Sequence, residues 1–383
     1  MWKINLNNAI CFFNILIVIL LSGSLLSKIE PYALILNVIS ILFLTINILK
    51  INKDLLRNKI VLYIISFVLL LLSSMIVNFD YSAIVNYISI SLMIILAGTI
   101  VILNDIDKIE KYYLDLILFL SFFSLIGYYF IDYFSFIKFE LYFRDQLYNF
   151  YWLYGYIEGV DYRNFSIFIE PGLYQIYLSF AILIMILRKS NKYWYYFLLF
   201  FSLVTTNSTT GYILGLILFF GLLLSLIKNI NLKVILLPCI VGVLLVIDTF
   251  LGVYENIDKK LNGVEKKSAL DRLLSTKIDW EIFLENPILG VGLGKYINNM
   301  EGKGYYIEAA TNTFTQILAI LGICFFILFL YIILSTIFRL NMLNRFLIIM
   351  FFTLSYSSQP VLQYPFFYFS IFYLCYFSMY NKD

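Results

Sequence analysis

The 383-residue chain contains no histidine. That removes the commonest metal ligand and the usual general base of a nucleophilic triad, so any chemistry falls to carboxylates, arginine, lysine, tyrosine or hydroxyls. Charge is scarce too: only 13% of residues are Asp, Glu, Lys or Arg, against about 25% in an ordinary soluble domain. Cysteine is rare, and Cys11, Cys239, Cys324 and Cys375 all lie in apolar stretches without metal-ligand spacing. They read as small apolar residues and imply neither a disulfide nor a metal site. A net charge of +3 is too small to suggest a nucleic-acid partner.

What remains is apolar, with 62% hydrophobic residues and a mean hydropathy of +0.89. This composition predicts an all-α polytopic membrane protein. Runs of roughly 17 to 25 mostly apolar residues mark membrane helices. Twelve such spans are expected, at 9–27, 32–49, 60–78, 83–103, 113–134, 171–187, 193–207, 211–227, 233–252, 312–338, 345–358 and 361–379. The first follows a short polar start without a small-residue cleavage site and reads as a retained span. No repeat relates the two halves, and the whole chain, 1–383, reads as one integral membrane domain.

Short loops rich in Lys and Arg stay in the cytoplasm. Alternate short loops carry Lys50, Lys53, Arg57 and Lys59; Lys108 and Lys111; Arg188, Lys189 and Lys192; Lys228 and Lys233; and Arg339 and Arg345. The intervening short loops carry only Lys28. Both termini are therefore expected in the cytoplasm, with the long loops 135–170 and 253–311 outside. Of seven arginines, Arg144, Arg163 and Arg272 lie in these two long loops. A need for planar, bidentate hydrogen bonding explains arginine there, in a chain that otherwise prefers lysine, and chance retention is the alternative.

The first long loop is dense in aromatic residues, among them Tyr142, Tyr148, Phe150, Trp152 and Tyr154. It reads either as an interfacial belt or as a platform for sugar rings. At its end, "YRNFSIFIEPG" keeps Arg163 and Glu170 at the two ends of a greasy run. Pro171 disfavours a helical Glu170 yet suits a first helical position, so the sixth span is expected to start at Pro171 with Glu170 at its cap. If 163–170 were helical, Arg163 and Glu170 would share one face about two turns apart. A plain interfacial ion pair is the bland alternative.

In the second long loop Leu270, Leu274, Ile278 and Ile282 predict an amphipathic helix ending at Asn286–Pro287. For its charges, Asp271, Arg272, Asp279, Glu281 and Glu285, the bland reading is a solvated face. "GVGLG" has no strand before it and no lysine-serine after it, so its glycines are expected to form a tight turn that brings backbone close to the bundle or to a ligand. The hydroxyls of "TTNSTTG" line a polar cavity or merely make a turn.

Taken together, "RNFSIFIEPG", "NSTTG", "DRLLSTKIDWEIFLENPILGVGLG" and "ATNTF" resemble, in order, the motifs of the O-antigen polymerase and ligase superfamily, over roughly 160–320. The resemblance implies a glycosyltransferase of GT-C-like architecture in the bacterial inner membrane, with its site facing outward. Its substrate would be an oligosaccharide carried on polyprenyl pyrophosphate, its product O-antigen, capsule or exopolysaccharide, and a chain-length regulator a partner protein. Many members, notably ligases, have histidine before the asparagine, where this chain has Thr311 before Asn312. That departure favours a polymerase.

The implied site residues are Arg163 and Arg272, neutralising the leaving pyrophosphate, and Glu170, as base or as anchor of Arg163. Arg144, Asn312 and Tyr162 are further substrate-binding candidates. No metal or cofactor is expected, and lacking a second carboxylate nucleophile, the transfer is expected to invert the anomeric centre. A ligase, a flippase or other transporter of lipid-linked glycan, and a scaffold without catalysis are the rival readings.

Overall fold

A computed structural model of the chain describes residues 6–49, 59–130, 138–143, 146–151, 153–157, 163–226, 266–303 and 312–380. Thirteen helices lie among these described residues. In chain order they are α1 (Leu6–Leu21), α2 (Tyr32–Ile48), α3 (Lys59–Val77), α4 (Ile84–Leu103), α5 (Ile106–Tyr129), α6 (Pro171–Leu187), α7 (Tyr193–Thr205), α8 (Thr209–Leu226), α9 (Lys266–Glu285), α10 (Leu293–Gly302), α11 (Thr313–Ile337), α12 (Met342–Ser357) and α13 (Pro365–Tyr380).

Two helices form the centre of the bundle. Every residue of α6 from Leu173 to Leu187 is buried, as is α13 from Pro365 to Cys375. A helix that is apolar all round belongs in a core. α13 packs against α1, α4 and α11, and α6 against α7, α8 and α12. Rings join the two: Phe366 of α13 and Tyr177 of α6 have centroids 4.2 Å apart. At the periphery, α2 and α3 expose rows of leucine, Leu34, Leu42, Leu62 and Leu69, a surface suited to hydrocarbon rather than water. α1 and α2 are tied to each other by a buried pair of amides, in which Asn14 and Asn47 each donate to the other at 3.1 and 3.2 Å.

Helices occupy eleven of the twelve expected spans, while the ninth, 233–252, lies outside the described residues. Among the described residues, Lys59–Val77, Tyr81–Leu103, Thr209–Leu226 and Thr313–Ile337 are long and apolar enough to cross a membrane, and five further apolar helices are shorter. The chain is an α-helical, multi-pass membrane protein. The first span is shorter than expected, because α1 ends at Leu21 and Gly23 turns the chain with φ 81°. The sixth starts at Pro171, whose fixed φ and missing N–H suit the first turn.

Just past the last residue of α6 the chain is clamped by charge. Arg188 Nε donates to both oxygens of Glu110 on α5 at 2.7 and 2.8 Å, and its Nη2 to Asp107 at 2.9 Å. Tyr373 of α13 donates to the same Glu110 at 2.7 Å. Three helices thus meet on one carboxylate.

α11 is broken at Gly322, which adopts φ 73° and ψ −175°. The break frees two carbonyls before it and two N–H groups after it, and the 287–292 loop meets all four. Val291 and Gly292 donate to the carbonyls of Ala319 and Ile320 at 2.9 and 3.0 Å, while Ile323 and Cys324 donate to those of Pro287 and Ile288 at 2.8 and 3.3 Å. Irregular backbone survives inside a membrane protein only when its polar groups are met in this way. The approach is close: a Cβ on Gly290 would lie 2.2 Å from the carbonyl carbon of Ile320, and one on Gly322 2.3 Å from the oxygen of Ile288. Of the two uses expected for the "GVGLG" glycines, packing against the bundle is the one observed.

The aromatic loop adds a small sheet to the all-α plan. β1 (Lys138–Phe143), β2 (Gln146–Tyr151) and β3 (Tyr154–Ile157) pair antiparallel in the order β1-β2-β3. Alternate residues of a strand share a face, so Tyr148 and Phe150 enter one small core with Leu25 and Phe165. Tyr154 packs edge-on against Tyr128 of α5, with ring centroids 5.4 Å apart. These three rings fasten the sheet to the bundle and do not form an open platform.

Gly322→Ala is expected to lower stability by about 1–3 kcal/mol through backbone overlap and strain, read as a drop in thermal unfolding temperature in detergent. Gly302→Ala, with nothing within 4 Å of the added methyl, is the matched control. Equal unfolding temperatures for the two variants would refute the requirement.

Candidate functional site

The segment 163–170, which carries the two charges of "YRNFSIFIEPG", is neither helix nor strand. Two backbone hydrogen bonds pin it to the turn after α1, Leu25 N–H to Ile167 at 2.9 Å and Ile169 N–H to Gly23 at 3.0 Å. Its beginning is fixed to the turn between α7 and α8. Asn164 donates from its backbone to the Thr205 carbonyl at 2.9 Å, and from its side chain to Thr205 Oγ1 at 3.0 Å and Ser124 Oγ at 3.1 Å. Arg163 Nη2 donates to the carbonyl of Asn207 at 2.9 Å.

Asn207 has φ 48° and Ser166 φ 51°. Asparagine tolerates this region, and its amide oxygen is held by Tyr212 Oη at 2.5 Å. Serine tolerates it less, and the Ser166 N–H is bound by Asn164 Oδ1 at 3.0 Å. Strain maintained by surrounding contacts gathers at functional sites. The "NSTTG" turn therefore does more than reverse the chain: it aims a carbonyl at Arg163.

Glu170 is the extended N-cap residue of α6, and its exposed carboxylate does not cap the helix. Among the described residues no ion pair joins it to Arg163, and the helix that would have put both on one face does not form. Asn312 is the N-cap of α11 and accepts from Phe314 N–H at 2.9 Å. Next to it, Thr313 Oγ1 donates to the Gln359 carbonyl at 2.5 Å and accepts from Val361 N–H at 2.9 Å. The Gln359 side chain lies on Gly172, where a Cβ would come within 2.0 Å of Nε2. The segment around Gln359 thus bridges the starts of α11 and α6, and so relates Asn312 to Glu170.

Beside this bridge Gln175 is fully buried against Gly211, with neither amide atom hydrogen-bonded to protein. An unsatisfied buried amide is costly and marks a place that water or ligand completes. Sequence reasoning passed over Gln175 and Gln359, although for Gln175 a polar side chain just inside an apolar span is itself a signal. Arg163, Glu170 and Asn312 are thus drawn to one end of the bundle. Arg272 stands exposed on α9, while Arg144 and Tyr162 lie outside the described residues.

α9 is the amphipathic helix expected before Pro287, but its buried face differs. Ser275, Ile278, Asp279 and Ile282 are buried, whereas Leu274 is 44% exposed. The reading of Asp279 as solvated is corrected: it is 0% exposed, and accepts from Tyr296 Oη of α10 at 2.5 Å and from Thr315 Oγ1 of α11 at 2.7 Å. Burial pushes its carboxyl up to about 6, against the lowering effect of those two hydrogen bonds. The buried stripe, two turns long, holds two polar members, Ser275 and Asp279, and for Asp279 the facing helices supply the donors. A second buried carboxylate, Asp80, accepts from Gly294 N–H at 2.7 Å and from Tyr87 Oη at 3.1 Å, and Tyr87 in turn accepts from Leu293 N–H at 2.9 Å. It fixes the second half of "GVGLG" and the start of α10.

A multi-pass helical membrane protein with an arginine, a carboxylate and an amide-rich bridge gathered at one end of its core is thus defined. Residues 194–330 match the family model described as O-antigen ligase. The matched stretch runs from α7 into α11, takes in Arg272 and Asn312, and begins after Arg163 and Glu170. It supports the O-antigen ligase and polymerase superfamily and does not separate the two activities. No curated protein matches the chain.

Because the folded pKa of Asp279 is raised, its contribution to stability is fully present below about pH 4 and is lost as pH rises through about 6. Protease protection of α9 is expected to fall across that window in the wild type and to stay flat in Asp279→Asn. A wild-type profile as flat as the variant's would remove Asp279 as the titrating latch.

Proposed function

We propose that the protein polymerises lipid-linked oligosaccharide repeat units, passing a growing glycan from polyprenyl pyrophosphate onto a sugar hydroxyl of the next unit. The observation that carries this reading is the anchoring of Arg163 beside the start of α6, where Glu170 stands exposed, in a chain whose following 194–330 stretch matches the O-antigen ligase family. In the proposed orientation twelve spans cross the bacterial inner membrane, both termini are cytoplasmic, and this end of the bundle faces outward.

In the transfer, an acceptor hydroxyl attacks the anomeric carbon, the bond from that carbon to the pyrophosphate oxygen breaks, and the lipid pyrophosphate leaves with the electron pair. Arg163 and Arg272 neutralise the charge that develops on it, since guanidinium binds phosphate oxygens in pairs. Glu170 takes the hydroxyl proton. With no ion pair joining it to Arg163 among the described residues, the role of base is favoured over that of anchor. One displacement inverts the anomeric centre and requires no metal. Arg144, Tyr162 and Asn312 contact substrate, and a chain-length regulator sets when extension stops.

The description of the matched family favours a second reading, ligation to a different acceptor. The lack of any histidine counts against it. Deleting the gene discriminates: surface glycan of single repeats indicates a polymerase, glycan missing from its final acceptor a ligase, and lipid intermediate trapped on the cytoplasmic face a flippase.

Arg163→Ala and Arg272→Ala are each expected to reduce chain extension by about 100-fold or more, as loss of a transition-state charge contact does, with normal membrane accumulation. Normal polymer length in both variants would remove them from the site.

A further inference from the structure

Two clefts adjoin between α2 and α4. The first, about 130 Å³, is polar, with Lys28, Asn37, Asn86, Ser89, Gln363 and Tyr364 in its lining. The second, about 220 Å³, is apolar and includes Ile41, Leu44, Val85, Ile88, Leu92 and Leu96. Asn37, Ser89 and Met93 line both, so the two form one groove with a polar head and an apolar tail.

Asn37 and Asn86 are exposed near the starts of α2 and α4, with Ser40 and Ser89 one turn further along the same faces and exposed apolar side chains such as Ile41 and Ile88 around them. Amides on a surface that meets hydrocarbon are costly unless something polar meets them. Here three amides, the hydroxyl residues Ser27, Ser89 and Tyr364, and an ammonium converge, and Lys28 Nζ lies 5.1 Å from the centre of the Tyr364 ring. A phosphate only accepts hydrogen bonds, so it satisfies the ammonium and the amide N–H groups and leaves the amide oxygens without donors. Sugar hydroxyls supply those donors.

The groove lies one chain's thickness from the candidate site. A Cβ on Gly23 would be 3.2 Å from the Tyr364 ring, and the Gly23 carbonyl accepts from Ile169, the neighbour of Glu170.

We infer that this groove binds a polyprenyl-pyrophosphate-linked saccharide, the acceptor of the transfer. Asn37, where the two clefts join, and Lys28 meet the pyrophosphate, Asn86 and Gln363 meet the first sugars, and the isoprenoid tail lies between α2 and α4. The inference rests on the proposed polymerase activity, which engages two lipid-linked substrates at once. The arginines serve the leaving group of one, and this groove seats the other.

The test uses the full-length protein in nanodiscs and a polyprenyl pyrophosphate that carries a sugar and a photoactivatable group on its tail. Labelling is expected on α2 and α4 near Ile41 and Leu92. Lys28→Ala should weaken it about tenfold, the equivalent of one lost charge-assisted hydrogen bond. Met93→Trp, which fills the junction of the two clefts, should abolish tail labelling while the protein keeps its unfolding temperature. Unchanged labelling in both variants, or equal competition by phosphatidylglycerol, overturns the assignment. Labelling is read without turnover, so its loss with polymer formation intact sinks the groove alone. Intact labelling in a protein that makes no polymer sinks the polymerase reading instead.

Discussion

The exchange of backbone hydrogen bonds between the 287–292 loop and the break in α11 is the contact on which this end of the bundle depends. Each carbonyl or N–H left unmet in an apolar interior costs several kcal/mol, so neither the break nor the loop is stable without the other. The consequence is geometric. The first turns of α11 leave the axis of the rest of the helix, carrying Asn312, Thr313 and Thr315 toward α9 and the segment around Gln359. Asp80 then secures the far end of the same loop through Gly294.

Around that fixed point the two long connections behave differently. The segment 163–170 is bound on both sides, to the turn after α1 and to the α7–α8 turn, and the aromatic sheet covers it through Phe165. Arg163 therefore sits on a rigid seat, the condition for electrostatic stabilisation without reorganisation. α9 is held mainly by one narrow buried stripe and the Asp279 carboxylate, and exposes Leu273, Trp280 and Leu284 on its other side. The charge that belongs to α9, Arg272, rides on the less firmly held element.

Most of the helices were legible in the sequence, because a membrane helix is specified by length and hydropathy alone. The start of α6 was legible for a different reason: proline has a fixed φ and no N–H, which makes Pro171 a marker whatever surrounds it. The break at Gly322 was not, since a glycine in a long apolar run is compatible with a continuous helix and only the approach of Gly290 decides the matter. The sheet was missed because its aromatic alternation is equally that of an interfacial belt. Asp279 was misread because a carboxylate among the several charges of an amphipathic helix is solvated by default, and the hydroxyls of Tyr296 and Thr315 that meet it come from other helices. Within the candidate site, Arg163 and Glu170 announced themselves as charges in a greasy run, whereas Gln175 and Gln359 gain meaning only from the glycines packed on them.

The amide pair between α1 and α2 has a mechanical consequence. Sliding α2 by one turn, about 5.4 Å, would strand Asn14 and Asn47 in hydrocarbon, so the pair locks axial register. Tilt about that pair is the motion left to α2. Asn37 lies ten residues from Asn47, a lever arm of about 15 Å, so a few degrees at the fulcrum translate into roughly an ångström at the polar head of the groove. The pair thus fixes α2 along its axis, while the position of the polar head across it is set by the packing of α2 on α4 and on the turn after α1.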